Sequence, residues 1–93
     1  MLFRSLSGER IALEVQQVSR ARVAYVIQLP RAGLTTLGVF DPRGRLVEEL
    51  EPAHRPAGLS HGVWQPAAVA SGVYFLRAQA DGQHGVARFI LLR

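Results

Sequence analysis

The clearest local structural signal of the chain lies in the sequence Val39-Phe40-Asp41-Pro42-Arg43-Gly44-Arg45-Leu46-Val47. Within it, an Asp at the first turn position can bond to its own backbone, and the Pro that follows fixes φ at the second position. The Gly that ends the turn tolerates a positive φ, which other residues disfavour. Because apolar residues flank the turn on both sides, the stretch predicts a hairpin between two antiparallel strands.

A second turn signal, Asp81-Gly82, lies between the last two apolar runs of the chain. The Asp-Gly pair supplies the two residues with φ > 0 that tight hairpin turns need. We therefore expect the final two strands to be antiparallel neighbours.

Short apolar runs alternate with turn signals about every 8 to 12 residues, and no window sustains a helical period. This pattern predicts a single all-β domain over residues 1–93, an antiparallel sandwich of about seven strands, with residues 1–10 as a disordered lead-in. The first strand could also open a short helix, but its period of two favours a strand. The expected strands cover residues 11–15, 22–29, 34–40, 45–50, 59–64, 73–80 and 85–92.

Two Pro- and Gly-containing segments, residues 51–58 and 65–72, separate the middle strands. Residues of these two types are not found inside central strands. We expect both segments to be loops that cross from one sheet to the other. The residues in question are Pro52, Pro56, Gly58, Pro66 and Gly72.

Alternation assigns the faces of three strands, because successive side chains of a strand point to opposite sides of the sheet. Trp64 is expected to fill the core between the sheets in preference to forming a ligand platform. The same two alternatives hold for Tyr74, and the hydroxyl of a tyrosine at the start of a late strand often bonds to the backbone of a neighbouring loop. The residues expected to face the core are Val23, Tyr25, Ile27 and Leu29, then Tyr74, Leu76 and Ala78, then Ala87, Phe89 and Leu91.

The composition is that of a folded domain, since 48% of the residues are hydrophobic and 19% are charged. The net charge of +4 rests on eleven arginines without any lysine, and these are scattered along the chain. Nucleic-acid binding needs a contiguous basic face with stacking aromatics, so it is disfavoured. The chain has no cysteine, which excludes disulfides and thiolate metal sites.

Targeting segments are missing from the sequence as written. No apolar run approaches the roughly 18 residues of a membrane span. The start, Met1-Leu2-Phe3-Arg4-Ser5, lacks the apolar segment of a signal peptide. We therefore expect that the chain does not direct its own export, and that it is either an excised fragment or a reading frame that begins partway through a gene.

Residue patterns for catalysis are weak throughout. The chain lacks a Gly-x-Ser-x-Gly element and a phosphate-cradling glycine loop. We interpret the three histidines as solvated and the three glutamates at residues 48–51 as a soluble strand edge. The sequence therefore predicts a protein that is not an enzyme and has no metal, cofactor or small-molecule substrate. The side chains considered are His54, His61, His84, Glu48, Glu49 and Glu51.

A set of short motifs, taken in order, resembles a known family. The set consists of Leu29-Pro30, residues 39–47, Pro56-Ala57-Gly58, Trp64, Ser71-Gly72-Val73-Tyr74-Phe75 and Arg88-Phe89-Ile90-Leu91-Leu92-Arg93. It resembles the type A C-terminal sorting domain of bacterial type IX secretion and the related immunoglobulin-like domain of the flagellar hook-capping protein. The resemblance spans residues 15–93.

The resemblance implies an immunoglobulin-like sandwich that serves as a non-catalytic label at the C-terminus of a larger protein. Such a label directs an upstream passenger through the periplasm to the cell surface or medium, and its partner is the outer-membrane translocon. The alternative is an accessory or assembly module that contacts an adjacent domain, as in hook capping.

The residues expected to contact the translocon lie in two turns and in the terminal strand. An exposed edge strand offers main-chain pairing to a partner, and its arginines add charge-assisted contacts. The terminal arginines can equally be plain protection of a sheet edge. The expected recognition residues are Gly44, Arg45, Ser71, Gly72, Tyr74, Arg88 and Arg93.

Overall fold

The described residues, 10–19 and 22–92 of a computed structural model, form eight β-strands and no helix. That part of the chain therefore holds no helix long and apolar enough to cross a membrane. The expected lead-in, as far as residue 9, and Arg93 lie outside the described residues. The strands are β1 (Ala12–Val18), β2 (Val23–Leu29), β3 (Gly33–Phe40), β4 (Leu46–Glu49), β5 (Ala53–Arg55), β6 (Gly58–Trp64), β7 (Gly72–Ala80) and β8 (Gln83–Leu91).

The strands make two antiparallel sheets. One has the order β1-β2-β6, and the other has the order β4-β3-β7-β8 with β5 paired to the start of β3. With β1, β2 and β6 as strands A, B and E, and with β3, β7 and β8 as C, F and G, this is the connectivity of an immunoglobulin-like sandwich. The all-β fold expected from the sequence is confirmed.

The core lies between the sheets, and the residues that fill it come from the strand faces that alternation assigns to the inside. The four inward residues of β2 are at most 3% exposed, and Leu76, Ala78 and Leu91 are fully buried. Trp64 is 3% exposed and its ring meets the ring of Phe89 edge-on at 6.1 Å. Its role as a core residue is confirmed.

Both predicted hairpin turns are present. At the first, the N–H of Gly44 donates to the carbonyl of Asp41 over 3.0 Å, and Gly44 has a φ of 87°. At the second, Asp81 and Gly82 have φ values of 52° and 75°, which define a two-residue turn of type I′. As expected, β7 and β8 are antiparallel neighbours.

Apart from shifts of one or two residues at other strand ends, three differences separate the predicted strands from the observed ones. Residues 51–58 were expected to be a loop, but Ala53–Arg55 forms β5 between Pro52 and Pro56. The sequence does not predict this strand, because three residues are too few to show an alternation of apolar and polar side chains. Glycines 58 and 72 are the first residues of β6 and β7. The first strand continues to Val18. A bulge between Val15 and Gln17 shifts the alternation by one residue, so that the side chain of Val18 again faces the core.

Candidate recognition surface

The turn between β3 and β4 is held by the carboxylate of Asp41. Its Oδ1 accepts hydrogen bonds of 2.9 Å from the backbone N–H groups of Arg43 and Arg45. Its Oδ2 accepts a bond of 3.1 Å from Nε of Arg45. These bonds favour the ionised carboxylate and hold the pKa of Asp41 below its ordinary value of 3.8, with the backbone N–H of Arg45 as the largest cause. The turn therefore presents the Arg45 side chain, which is 75% exposed, in a fixed direction.

The corner before β7 is fixed by Tyr74. Its hydroxyl donates a hydrogen bond of 2.6 Å to the carbonyl of Ala70, which is the loop contact expected from the sequence. Tyr74 is 8% exposed, and its ring centroid lies 6.0 Å from that of Phe89. Tyr74 thus points into the core and acts on the surface by fixing the corner, whereas the exposed Ser71 and the half-buried Gly72 form that corner.

Arg88 lies on the outward face of β8 and is exposed. In register it stands opposite Phe75 of β7, which stands opposite Phe40 of β3. Phe40 in turn stands opposite Leu46 of β4, directly after the first hairpin turn. One row of side chains therefore crosses the whole sheet from the Arg45 turn to Arg88.

This row brings together segments that are far apart in sequence. Because β3 ends, β7 begins and β8 ends at the same end of the sheet, the turn at Gly44 and Arg45, the corner at Ser71 and Gly72, and Arg88 share that end. We call these five residues, with Tyr74 beneath them, the recognition end. Arg93, the seventh expected residue, lies outside the described residues.

Apolar side chains surround Arg88 on the same outward face. Ile90 is 50% exposed, Val86 is 55% exposed and Leu92 is 70% exposed. Leu46, at the far side of the row, is 53% exposed. The outward parity of Val86 and Ile90 follows from the sequence, but the row through Phe40 and Phe75 does not, because it depends on the register between distant strands.

A groove opens between the free edges of the two sheets, on the side where β1 faces β8. It has a volume of about 300 Å³ and is lined by residues 15–18 of β1 and 88–90 of β8. Towards the start of β1 the strands approach closely, so that a Cβ on Gly85 would lie 3.2 Å from the backbone oxygen of Ile11. The groove is therefore closed at that end and open at the recognition end.

A polar cluster ties β5 to the opposite sheet. Arg55 donates from Nη1 to Oγ of Ser60 over 3.1 Å and from Nη2 to the hydroxyl of Tyr25 over 3.2 Å. Its guanidinium also lies 5.8 Å from the centroid of the Tyr25 ring. Because β5 belongs to one sheet and the two acceptors belong to the other, the cluster joins the sheets away from the recognition end.

Titratable side chains are dispersed over the part of the chain that the structure describes. Histidines 54, 61 and 84 are exposed on β5, β6 and β8. No three His, Asp or Glu side chains of this part come together as metal ligands. Glu48 and Glu49 lie on β4, which is an edge strand, as expected. The described surface therefore offers a partner exposed arginine side chains, apolar area and unpaired strand edges.

Comparison with known proteins assigns no family: no protein-family model matches the chain, and no curated protein matches it significantly.

Proposed function

We propose that this sandwich is a non-catalytic C-terminal sorting domain that directs an upstream passenger through bacterial type IX secretion. Its partner is the outer-membrane translocon, which it meets in the periplasm before the passenger reaches the surface or the medium. Support comes from one observation: the three segments expected to be recognised, which lie between residues 44 and 88, converge on one end of one sheet.

The convergence matters because recognition of a folded label requires a contiguous surface. At this end Arg88 presents a positive charge with apolar side chains such as Ile90 beside it, and Arg45 presents an exposed guanidinium that also pairs with Asp41. Aromatic and arginine side chains are the groups that interfaces enrich. A surface of this kind suits a protein partner better than a nucleic acid, which would require a broader basic face.

A secretion assay tests the proposal. Residues 1–93 are fused behind a signal peptide and a reporter in a bacterium with type IX secretion, and the reporter is followed in the medium and on the surface. The same fusion is expressed in a strain that lacks the translocon. We expect export in the first strain alone. A reporter that stays in the periplasm of both strains would contradict a sorting role.

The second candidate function is an accessory module that packs on an adjacent domain or assembles as in hook capping. It is favoured by the apolar side chains on the outward face of the larger sheet, of which Leu46, Val86 and Ile90 are at least half exposed. Residues of this kind on a sheet face mark protein interaction sites when they are contiguous. Periplasmic retention of the reporter would make this candidate the better account.

A further inference from the structure

The free edge of β8 has a defined set of backbone groups. Among the described residues, β8 pairs with β7 alone, so the backbone of its other edge is unpaired. The start of β1 lies against this edge at Gly85, and the edge is open along residues 88–90, where the groove lies. Asp81 and Gly82 form a two-residue turn of type I′, so Ala80 and Gln83, which flank the turn, make a hydrogen-bonded pair. In an antiparallel ladder such pairs alternate with pairs whose N–H and C=O groups point away from the partner strand.

The pairing of Gln83 fixes which backbone groups of β8 point to its free edge. The residues that bond to β7 are every second residue from Gln83, and the residues between them direct N–H and C=O to the free edge. Val86, Arg88 and Ile90 belong to this second set. Their side chains also share the outward face of the sheet. The free edge therefore offers main-chain groups at the positions that carry the exposed arginine and its apolar neighbours.

The groove beside this edge has room for part of an extended chain. Its volume is about 300 Å³, and its lining includes Phe89 of β8 with Val15 and Val18 of β1. Phe89 is 5% exposed, and both valines pack against the core. A strand that paired with β8 would direct alternate side chains into the groove, and apolar side chains would suit these neighbours.

Arg88 supplies the charge at the centre of this edge. The ion pairs among the described residues are those of Arg31 with Asp81 and of Arg45 with Asp41. Arg88 therefore has no carboxylate partner in that part of the chain. A carboxylate directly across the edge from Arg88 would form a favourable cross-strand pair of opposite charges.

We propose that the free edge of β8 binds an extended segment of a partner protein, in which an acidic residue lies between two apolar residues. The acidic residue pairs with Arg88 on the outward face, and its two neighbours enter the groove against Phe89. Backbone hydrogen bonds to Arg88 and Ile90 add the segment to the sheet as a strand. The site deepens the proposed function, because it names the class of ligand for the recognition end.

A second copy of the chain is the less suitable occupant. Pairing of two β8 strands around a two-fold axis at Arg88 would place the two arginines directly opposite each other. Like charges directly opposite one another destabilise a strand pair. The charge of this edge therefore favours an acidic partner.

Titration of the full chain with two synthetic peptides tests the proposal. The probe is acetyl-Ser-Thr-Val-Glu-Val-Thr-Ser-amide, and the control peptide carries Lys in place of Glu. Backbone amide NMR shifts are followed in each titration. We expect saturable shifts at Arg88, Phe89 and Ile90, the β8 residues that line the groove, with the Glu peptide. Binding of the Lys peptide should be about fivefold weaker or more. Equal binding of both peptides, or shifts confined to another surface, would overturn the proposal.

Exchanging the charge gives a sharper test. Arg88→Glu is expected to reverse the preference, so that the Lys peptide binds better than the Glu peptide. Arg31→Glu, a change of an exposed arginine at the opposite end of the sandwich, should leave the preference unchanged. An Arg88→Glu variant that still prefers the Glu peptide would overturn the assignment.

The backbone contribution is tested at Ile90. Ile90→Pro removes an N–H from the free edge without removing a bond to β7. It should abolish binding of the Glu peptide, whereas Ile90→Val should retain it. If the proline variant does not fold, the charge exchange at Arg88 decides the matter alone. Shifts of the β8 amides with protein concentration, in the absence of peptide, would assign the groove to a second copy and overturn the proposal.

The peptide measurements and the secretion assay test the binding site and the sorting role independently of each other. Loss of peptide binding with intact translocon-dependent export would remove this site and leave the sorting role. Charge-dependent peptide binding without export would remove the sorting role and leave the site.

Discussion

The ring of Tyr25 on β2 covers the Cα of Gly62, its partner on β6, so closely that a Cβ at residue 62 would overlap with the ring. The hydroxyl of the same tyrosine accepts a hydrogen bond of 3.2 Å from Arg55. Gly62 is therefore the residue that lets the tyrosine lie flat in the core and reach the opposite sheet.

This contact predicts the effect of adding one methyl group. Gly62→Ala must displace a buried ring and should lower the free energy of unfolding by about 1–3 kcal/mol. Gly33→Ala is the matched control, because a Cβ there meets no atom within 4 Å. Urea unfolding of both variants checks the prediction, and a Gly62→Ala variant as stable as Gly33→Ala would contradict it.

The hydrogen bond from Tyr74 to Ala70 predicts a second effect. Tyr74→Phe removes the hydroxyl but keeps the ring against Phe89, so it should lower the free energy of unfolding by about 1 kcal/mol. Tyr74→Ala removes the ring as well and should cost about 3–5 kcal/mol. Thermal and urea unfolding measure both losses. If Tyr74→Phe lost as much as Tyr74→Ala, the ring would contribute nothing and this view of the corner would be wrong.

The Asp41 turn predicts a dependence of stability on pH. Since the pKa of Asp41 is lowered in the folded state, the carboxylate stabilises the fold at pH values above its unfolded pKa. That contribution is lost as the pH falls through the folded pKa. We expect the free energy of unfolding to decrease between about pH 5 and pH 2, and Asp41→Asn to remove part of that decrease. Urea unfolding across this range measures it.

Asp81→Asn provides a matched control for the loss of the Asp41 carboxylate. Asp81 also lies in a hairpin turn and pairs with an arginine at 3.1 Å, but both side chains are about 70% exposed. Exposed pairs of this kind contribute little. Asp81→Asn should therefore lower the free energy of unfolding at neutral pH by less than Asp41→Asn does. An Asp41→Asn pH profile that follows that of the unaltered protein would refute the role of the Asp41 carboxylate.

The local features of the fold could be predicted from the sequence. The turns at Asp41 and Asp81 depend on residue types that act within four positions, and the inward parity of β2 depends on alternation alone. Strand β5 could not be predicted, because its three residues pair with β3 and carry no pattern of their own. A tertiary contact, that of Arg55 with Tyr25, anchors it.

The sequence predicts the individual residues of the recognition end, but it does not predict that they lie together on one surface. The family resemblance, together with their turn and strand positions, makes Gly44, Arg45 and Arg88 expected recognition residues. Their common location depends on the pairing of Phe40 with Phe75. Such pairings are set by packing of the whole sandwich, which local sequence does not encode. The groove beside β8 escaped prediction for the same reason, because it exists only between two sheets.

Recognition through one end of the sheet is tested most directly by comparing three arginines in the secretion assay. Arg45 and Arg31 are closely matched, since each is at least 70% exposed and pairs with a turn Asp at 3.1 Å, but they lie at opposite ends of the sandwich. With folding of each variant verified by its melting temperature, Arg45→Ala and Arg88→Ala should reduce translocon-dependent export of the reporter. Arg31→Ala should leave export unchanged. An equal loss for Arg31→Ala, or export that persists without the translocon, would contradict recognition through this end of the sheet.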